Sequence, residues 1–186
     1  MNASFSQPTV WRTCRVLANP ARLRLFAALT RRQPQTVSGL AEQVGLSLPM
    51  ASMSLRAMES RGLLSVRRVR RRVEYRLPAE CADQAMAELV KALKNTLENA
   101  EKPIATIFHL ATGFTHPARI EVYRKLAATS ASETMLAGGL QLSLPAVRRH
   151  AQKLLARGYI TARDDAYDVV RHPDAVGRAL ANLALR

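Results

Sequence analysis

Apolar positions between residues 40 and 64, LAEQVGLSLPMASMSLRAMESRGLL, read as helix, tight turn, second helix and a glycine stop. Ser47 can cap the second helix, because its side-chain oxygen can accept from a free backbone N–H. Pro49 follows within the first turn, where a missing N–H does little harm. Leu48, Ala51, Leu55 and Met58 then recur at spacings of three and four, which predicts one buried stripe. Gly62 stands where a helix closes on a left-handed residue. Much the same pattern returns over 136–160, LAGGLQLSLPAVRRHAQKLLARGYI.

The flanking segments extend this pattern. A short helix is expected from Val10, with Trp11, Cys14 and Leu17 or Ala18 on one side. Asn19-Pro20 breaks it and starts another, which runs to about Thr30 with Leu23, Phe26 (or Ala27) and Leu29 as its apolar stripe. Residues 33–35 form a loop and 36–37 a very short strand. Beyond Gly62, Val73, Tyr75 and Leu77 alternate with Arg72, Glu74 and Arg76, the period-two sign of a half-buried strand. With 64–68 as its partner this is a hairpin, which Pro78 ends. One long helix is predicted over 79–101, with Met86, Leu89 or Val90, Leu93 and Leu97 on one face. Lys102-Pro103 starts a new helix over 104–112, with Ile107, Phe108 and Ala111 apolar.

Past residue 103 the pattern repeats. LANPARLRLFAAL at 17–29 parallels FTHPARIEVYRKL at 114–126. Pro117 follows Pro20 by 97 residues and Pro145 follows Pro49 by 96, so one residue is missing in between. Pro-Ala-Arg, Leu-Ser-Leu-Pro and Arg-Gly are identical in the two copies. Two domains are therefore expected, 10–101 and 103–186, rather than a solenoid of shorter units. The second copy ends in a hairpin of 159–162 with 167–170, and its tip, Arg163-Asp164-Asp165-Ala166, is shorter and acidic. After His172-Pro173-Asp174 comes a last helix with Val176, Leu180 and Leu183 on one face.

Charge narrows the function. The chain carries 28 Lys and Arg against 14 Asp and Glu, a formal net charge of +14. An excess of one sign that large builds a field that attracts polyanions, nucleic acid first and anionic membrane second. Arg far outnumbers Lys, and its planar fork suits phosphate and guanine. The hairpin tip concentrates this charge in Arg67, Arg68, Arg70, Arg71 and Arg72. No apolar run approaches the length of a membrane span, and the N-terminal residues lack a basic run followed by an apolar core. A soluble, cytoplasmic protein is expected. Two cysteines make neither a disulfide framework nor a zinc cluster. His116 and His172 each precede Pro and read as helix-start residues, and His109 lies near the apolar face of its helix, where a core role is expected rather than a ligand role. No nucleophile–base pair, Gly-rich phosphate loop or carboxylate cluster is visible, so neither an enzyme, a metal site nor a cofactor is expected.

The segments LANPARLRLFAAL, LAEQVGLSLPMASMSLRAMESRGLL and RRVRRRVEYRL resemble the ArsR-type winged-helix repressors of bacteria. The resemblance covers nearly all of the first copy, and 116–170 looks like a diverged winged helix of the same kind. It implies a mainly α fold with short β-hairpin wings, as tandem winged helix-turn-helix domains, and double-stranded DNA as partner. The second helix of each motif would enter the major groove, and the wing would touch backbone or minor groove. At the first such helix the candidate DNA contacts are Ser47, Ser52, Ser54 and Arg56, and of its groove-facing positions only the last three can hydrogen-bond bases or phosphates. Met50 and Met53 are placed either for thymine methyls or for another protein surface. On the second, Arg148, Arg149 and His150 would read bases, with Lys153 and Arg157 nearby. The wing arginines would then supply affinity. Proteins of this type dimerise through their first and last helices, so the chain is either a homodimer through its first and long helices or an intramolecular pseudo-dimer. Cys14 and Cys81 could approach in such a fold as a redox pair. The rival classes are a winged-helix scaffold for protein partners and a nonspecific nucleoid protein.

Overall fold

The computed structural model describes residues 10–70, 72–81 and 83–186. The N-terminal residues 1–9 and Arg71 of the wing lie outside the described residues. The first half runs α1 (Val10–Leu17), α2 (Pro20–Arg31), β1 (Gln35–Thr36), α3 (Val37–Val44), α4 (Leu48–Glu59), β2 (Ser65–Val69), β3 (Arg72–Arg76) and α5 (Gln84–Asn99). The second runs α6 (Pro103–Ala111), a 3-10 turn (Thr112–Phe114), α7 (Pro117–Ala128), β4 (Ala131–Ser132), α8 (Glu133–Leu140), α9 (Leu144–Leu155), β5 (Ile160–Arg163), β6 (Ala166–Val169) and α10 (Ala175–Ala184). The described residues are mainly helical with two small antiparallel sheets, ordered β1-β3-β2 and β4-β6-β5. Gln35 faces Tyr75 in one sheet and Ala131 faces Tyr167 in the other. The α7–β4 connection is one residue shorter than the α2–β1 connection, which is where the offset drops from 97 to 96.

Local chemistry sets the boundaries. Asn19 caps α2, its side-chain oxygen accepting from Arg22 N–H at 3.1 Å, and His116 caps α7 through Nδ1, which accepts from Ala118 N–H at 3.2 Å. The Arg of each Pro-Ala-Arg reaches back to the end of the preceding helix. Arg22 Nη1 donates to the Arg15 carbonyl at 3.4 Å, and Arg119 Nη1 to the Thr112 carbonyl at 2.7 Å. Such contacts satisfy carbonyls that a helix leaves open at its C-terminus. Gly62 and Gly158 close α4 and α9 with φ near +70°, a conformation in which a Cβ would be strained. The long helix starts later than predicted, because Asp83 rather than Ala79 begins it. The Asp83 carboxylate accepts from Met86 N–H at 2.9 Å and fixes the first turn there.

The halves share one apolar core. Helix α10 packs along α5, and α1 packs on α6 and the 3-10 turn. Arg186 beyond α10 lies 3.2 Å from Asp83 before α5, so these two helices run antiparallel. Beside them sits an aromatic cluster of Phe114, Tyr123 and Tyr159, with Phe114–Tyr159 centroids 4.4 Å apart. The buried Tyr159 hydroxyl donates to the Leu110 carbonyl at 3.1 Å, so its polar end is satisfied. Gly113 lies under this ring, and a Cβ there would overlap it. His172 is buried rather than merely helix-starting. Its Nδ1 accepts from Asp174 N–H at 3.0 Å, which leaves Nε2–H to donate to the Arg157 carbonyl at 3.1 Å. Among the described residues no helix is long and apolar enough to cross a membrane.

Candidate nucleic-acid interface

In the first half, α3 ends on Gly45 with φ +68°, and Ser47 caps α4 by accepting from Met50 N–H at 3.4 Å. Ser47 is thus engaged in the turn itself. Ala51, Leu55 and Met58 anchor α4 in the core. Leu48, predicted on the same stripe, is 55% exposed. It is the first residue of the helix, and no element of the described fold covers that end. Met50 and Met53 stand out into solvent, Met53 at 72% exposure. Ser52 and Ser54 are half-buried, and Arg56 is exposed.

The wing follows directly. Tyr75 and Leu77 hold its base in the core, and the Leu77 N–H donates to Gln33 Oε1 at 2.7 Å. Burial first, then the nearby Glu59 carboxylate, pushes the Tyr75 phenol up. Further out, Arg67, Arg68, Arg70 and Arg72 are all exposed, and none of them takes part in an ion pair among the described residues. Arg70 turns the tip in a left-handed conformation, φ +55°.

In the second half the arginines of α9 are not equivalent. Arg148 is held by Glu133, the first residue of α8, through Nη2–H at 2.8 Å and Nε–H at 3.0 Å. Tyr167 of β6 donates its hydroxyl to the other Glu133 oxygen at 3.0 Å. The hydrogen bond from Arg148 holds the Glu133 carboxyl below its usual range. Arg149 is exposed. Lys153 is partly covered, and burial, then Arg157 and Arg119, lowers its ammonium. Arg157 is structural: its Nε–H donates to the His109 carbonyl at 3.1 Å and to Thr112 Oγ1 at 2.9 Å.

Two histidine expectations are overturned. His150 is only 3% exposed and cannot present its ring to a groove. It stacks on His116 with centroids 4.8 Å apart, and its Nδ1 has no partner among the described residues. Burial first, then His116, Arg119 and Arg149, pushes its pKa down to about 4. The spacing carried this signal, since residue 150 falls between Val147 and Leu154 at steps of three and four. His109 is exposed rather than in the core, and its Nε2 lies 3.1 Å from the Ala156 carbonyl. The cysteines, named above as a candidate redox pair, are both free thiols. Cys14 is wholly buried and its thiol is pushed up by burial; Cys81 is raised by burial and Asp83. Both environments disfavour the thiolate that redox chemistry uses.

The family model for a helix-turn-helix domain matches residues 17–67, from the end of α1 into β2. No curated protein matches the chain. The match supports a helix-turn-helix regulator, and a domain of this kind points to DNA-binding transcription regulation. It ends before the wing tip and does not reach the second half.

Proposed function

We propose that the chain is a DNA-binding transcription regulator of ArsR-like winged-helix type, acting as a repressor, with two winged helices joined as an intramolecular pseudo-dimer. The observation that carries the DNA partner is the wing: Arg67, Arg68, Arg70 and Arg72 all exposed beside a helix-turn-helix. Like charges crowded this closely repel unless a polyanion compensates them. Support for domains at 10–101 and 103–186 comes from the repeated element order and repeated strand order. Support for the pseudo-dimer comes from α1 and α5, whose faces are already covered by α6 and α10. A homodimer through those faces would compete with the chain's own core.

The test is binding to duplex DNA across a salt series. Removing one phosphate-binding cation should flatten the log–log slope by roughly 0.9. Arg70→Ala with Arg72→Ala should therefore flatten it by up to about 1.8, with the unfolding curve unchanged. An unaltered slope would remove the wing from the interface. Selection from a random pool then separates a regulator, which enriches a motif, from a nonspecific packaging protein, which does not. A second reading rests on exposed Leu48, Met50 and Met53, a surface suited to a protein partner. It would be favoured by no duplex binding at any salt concentration.

A further inference from the structure

We propose that Glu133 and Tyr167 are positioning residues that aim Arg148 at a single guanine, which makes α9 the specificity-bearing helix of the chain. This rests on the DNA-binding reading above and deepens it. A guanidinium has five N–H donors in a planar fork. Glu133 occupies the side of that fork, taking Nε–H at 3.0 Å and one Nη2–H at 2.8 Å. The end of the fork, the Nη1–H pair and the second Nη2–H, makes no hydrogen bond to the described residues. Two parallel end-on donors are what the O6 and N7 acceptors of guanine require in the major groove. The Arg148 side chain is 61% exposed while Glu133 is 21% exposed, so the buttress is inside and the arginine outside.

Three elements converge on this arrangement: α8 supplies Glu133, α9 supplies Arg148, and the wing strand β6 supplies Tyr167, whose hydroxyl donates to Glu133 Oε1 at 3.0 Å. The Tyr167 hydroxyl thereby shares Oε1 with Arg148 Nε–H, which also reaches that oxygen at 3.2 Å, while the shortest Arg148 hydrogen bond goes to Oε2. The pairing also changes what Arg148 can do. With its charge matched by Glu133, it adds little to sequence-independent attraction for phosphate, and its remaining donors are directional. The first half has no such device: Val37 and Ser52 stand where Glu133 and Arg148 stand in the second. Affinity and reading are thus carried by different halves, phosphate by the β2–β3 wing and a base by α9.

The experiment uses the full chain and a duplex site taken from random-pool selection, with every single-base-pair variant of that site. Wild-type protein should show one G·C pair whose replacement weakens binding about tenfold or more, the scale of one bidentate arginine–guanine pair. Arg148→Ala should abolish the preference at that pair alone. Glu133→Gln should weaken the preference at the same pair severalfold. It should also steepen the salt slope by up to about 0.9, because the released cation becomes a phosphate contact. Tyr167→Phe, which keeps the ring in the sheet, should have the same effect at that pair on a smaller scale. Specificity unchanged in Glu133→Gln, with Arg148→Ala altered, would overturn the positioning role. Specificity unchanged in Arg148→Ala, with wild-type binding still selective, would overturn the assignment of the reader while leaving DNA binding intact. No duplex binding by wild type would overturn both.

Discussion

His150 illustrates what one ring can do on the buried face of α9. Its imidazole is buried against His116, with Arg119 and Arg149 close by, and its native pKa is pushed to about 4 against an ordinary 6.5. Between these values the unfolded chain binds a proton that the native protein refuses. Stability contributed by the neutral ring is therefore full above pH 6.5 and declines as the pH falls toward 4. His150→Phe keeps an aromatic ring and removes the titration. Wild type should lose more stability than this variant between about pH 7 and pH 5, read from urea midpoints, and equal losses would place the ring outside this linkage. Glu133 contributes in a different window, since its pKa is lowered and its effect fades only at more acid pH. The winged-helix resemblance puts His150 at a groove position, yet its place on the buried stripe was legible in the spacing. The engagement of Arg148 was not legible, because Glu133 lies fifteen residues away on another helix.

Among the elements, the turns and caps followed the residue types closely. Asn19, Ser47 and Asp174 cap helices by the same side-chain acceptance, and the hairpins fall where the alternation placed them. The exception is the start of α5, where Asp83 outcompetes four preceding residues that carry no stronger cap. Glycine shows the limit of local reading. Gly113, in the 3-10 turn, and Gly138, in α8, look alike in sequence. A Cβ at Gly113 would enter the Tyr159 ring, whereas a Cβ at Gly138 would meet nothing within 4 Å. Gly113→Ala should therefore destabilise by about 1–3 kcal/mol through overpacking. Gly138→Ala should stabilise by roughly 0.5–1 kcal/mol through helix propensity. Denaturant unfolding of the two variants checks both signs, and a neutral Gly113→Ala would mean that the aromatic cluster can shift.

For the whole molecule, the two halves are not independent bodies, because α5 and α10 bury their apolar faces on each other and α1 does so on α6. Unfolding should then be a single cooperative transition by both far-UV and aromatic signals. Leu180→Ala, at a fully buried position of α10, should shift that whole transition by about 2–5 kcal/mol. Two separated transitions, with only one of them moved, would show that the halves fold alone. Apolar periodicity, caps and glycines determined where most helices and hairpins begin and end, because those signals act within a few residues along the chain. The repeat and the arginine wing were equally plain, since both are read along the chain without any tertiary contact. Only the tertiary structure decided that the halves share a core and that a carboxylate from α8 and a hydroxyl from β6 hold Arg148. Such choices depend on which faces meet after the chain returns on itself, and local sequence carries no record of that distance.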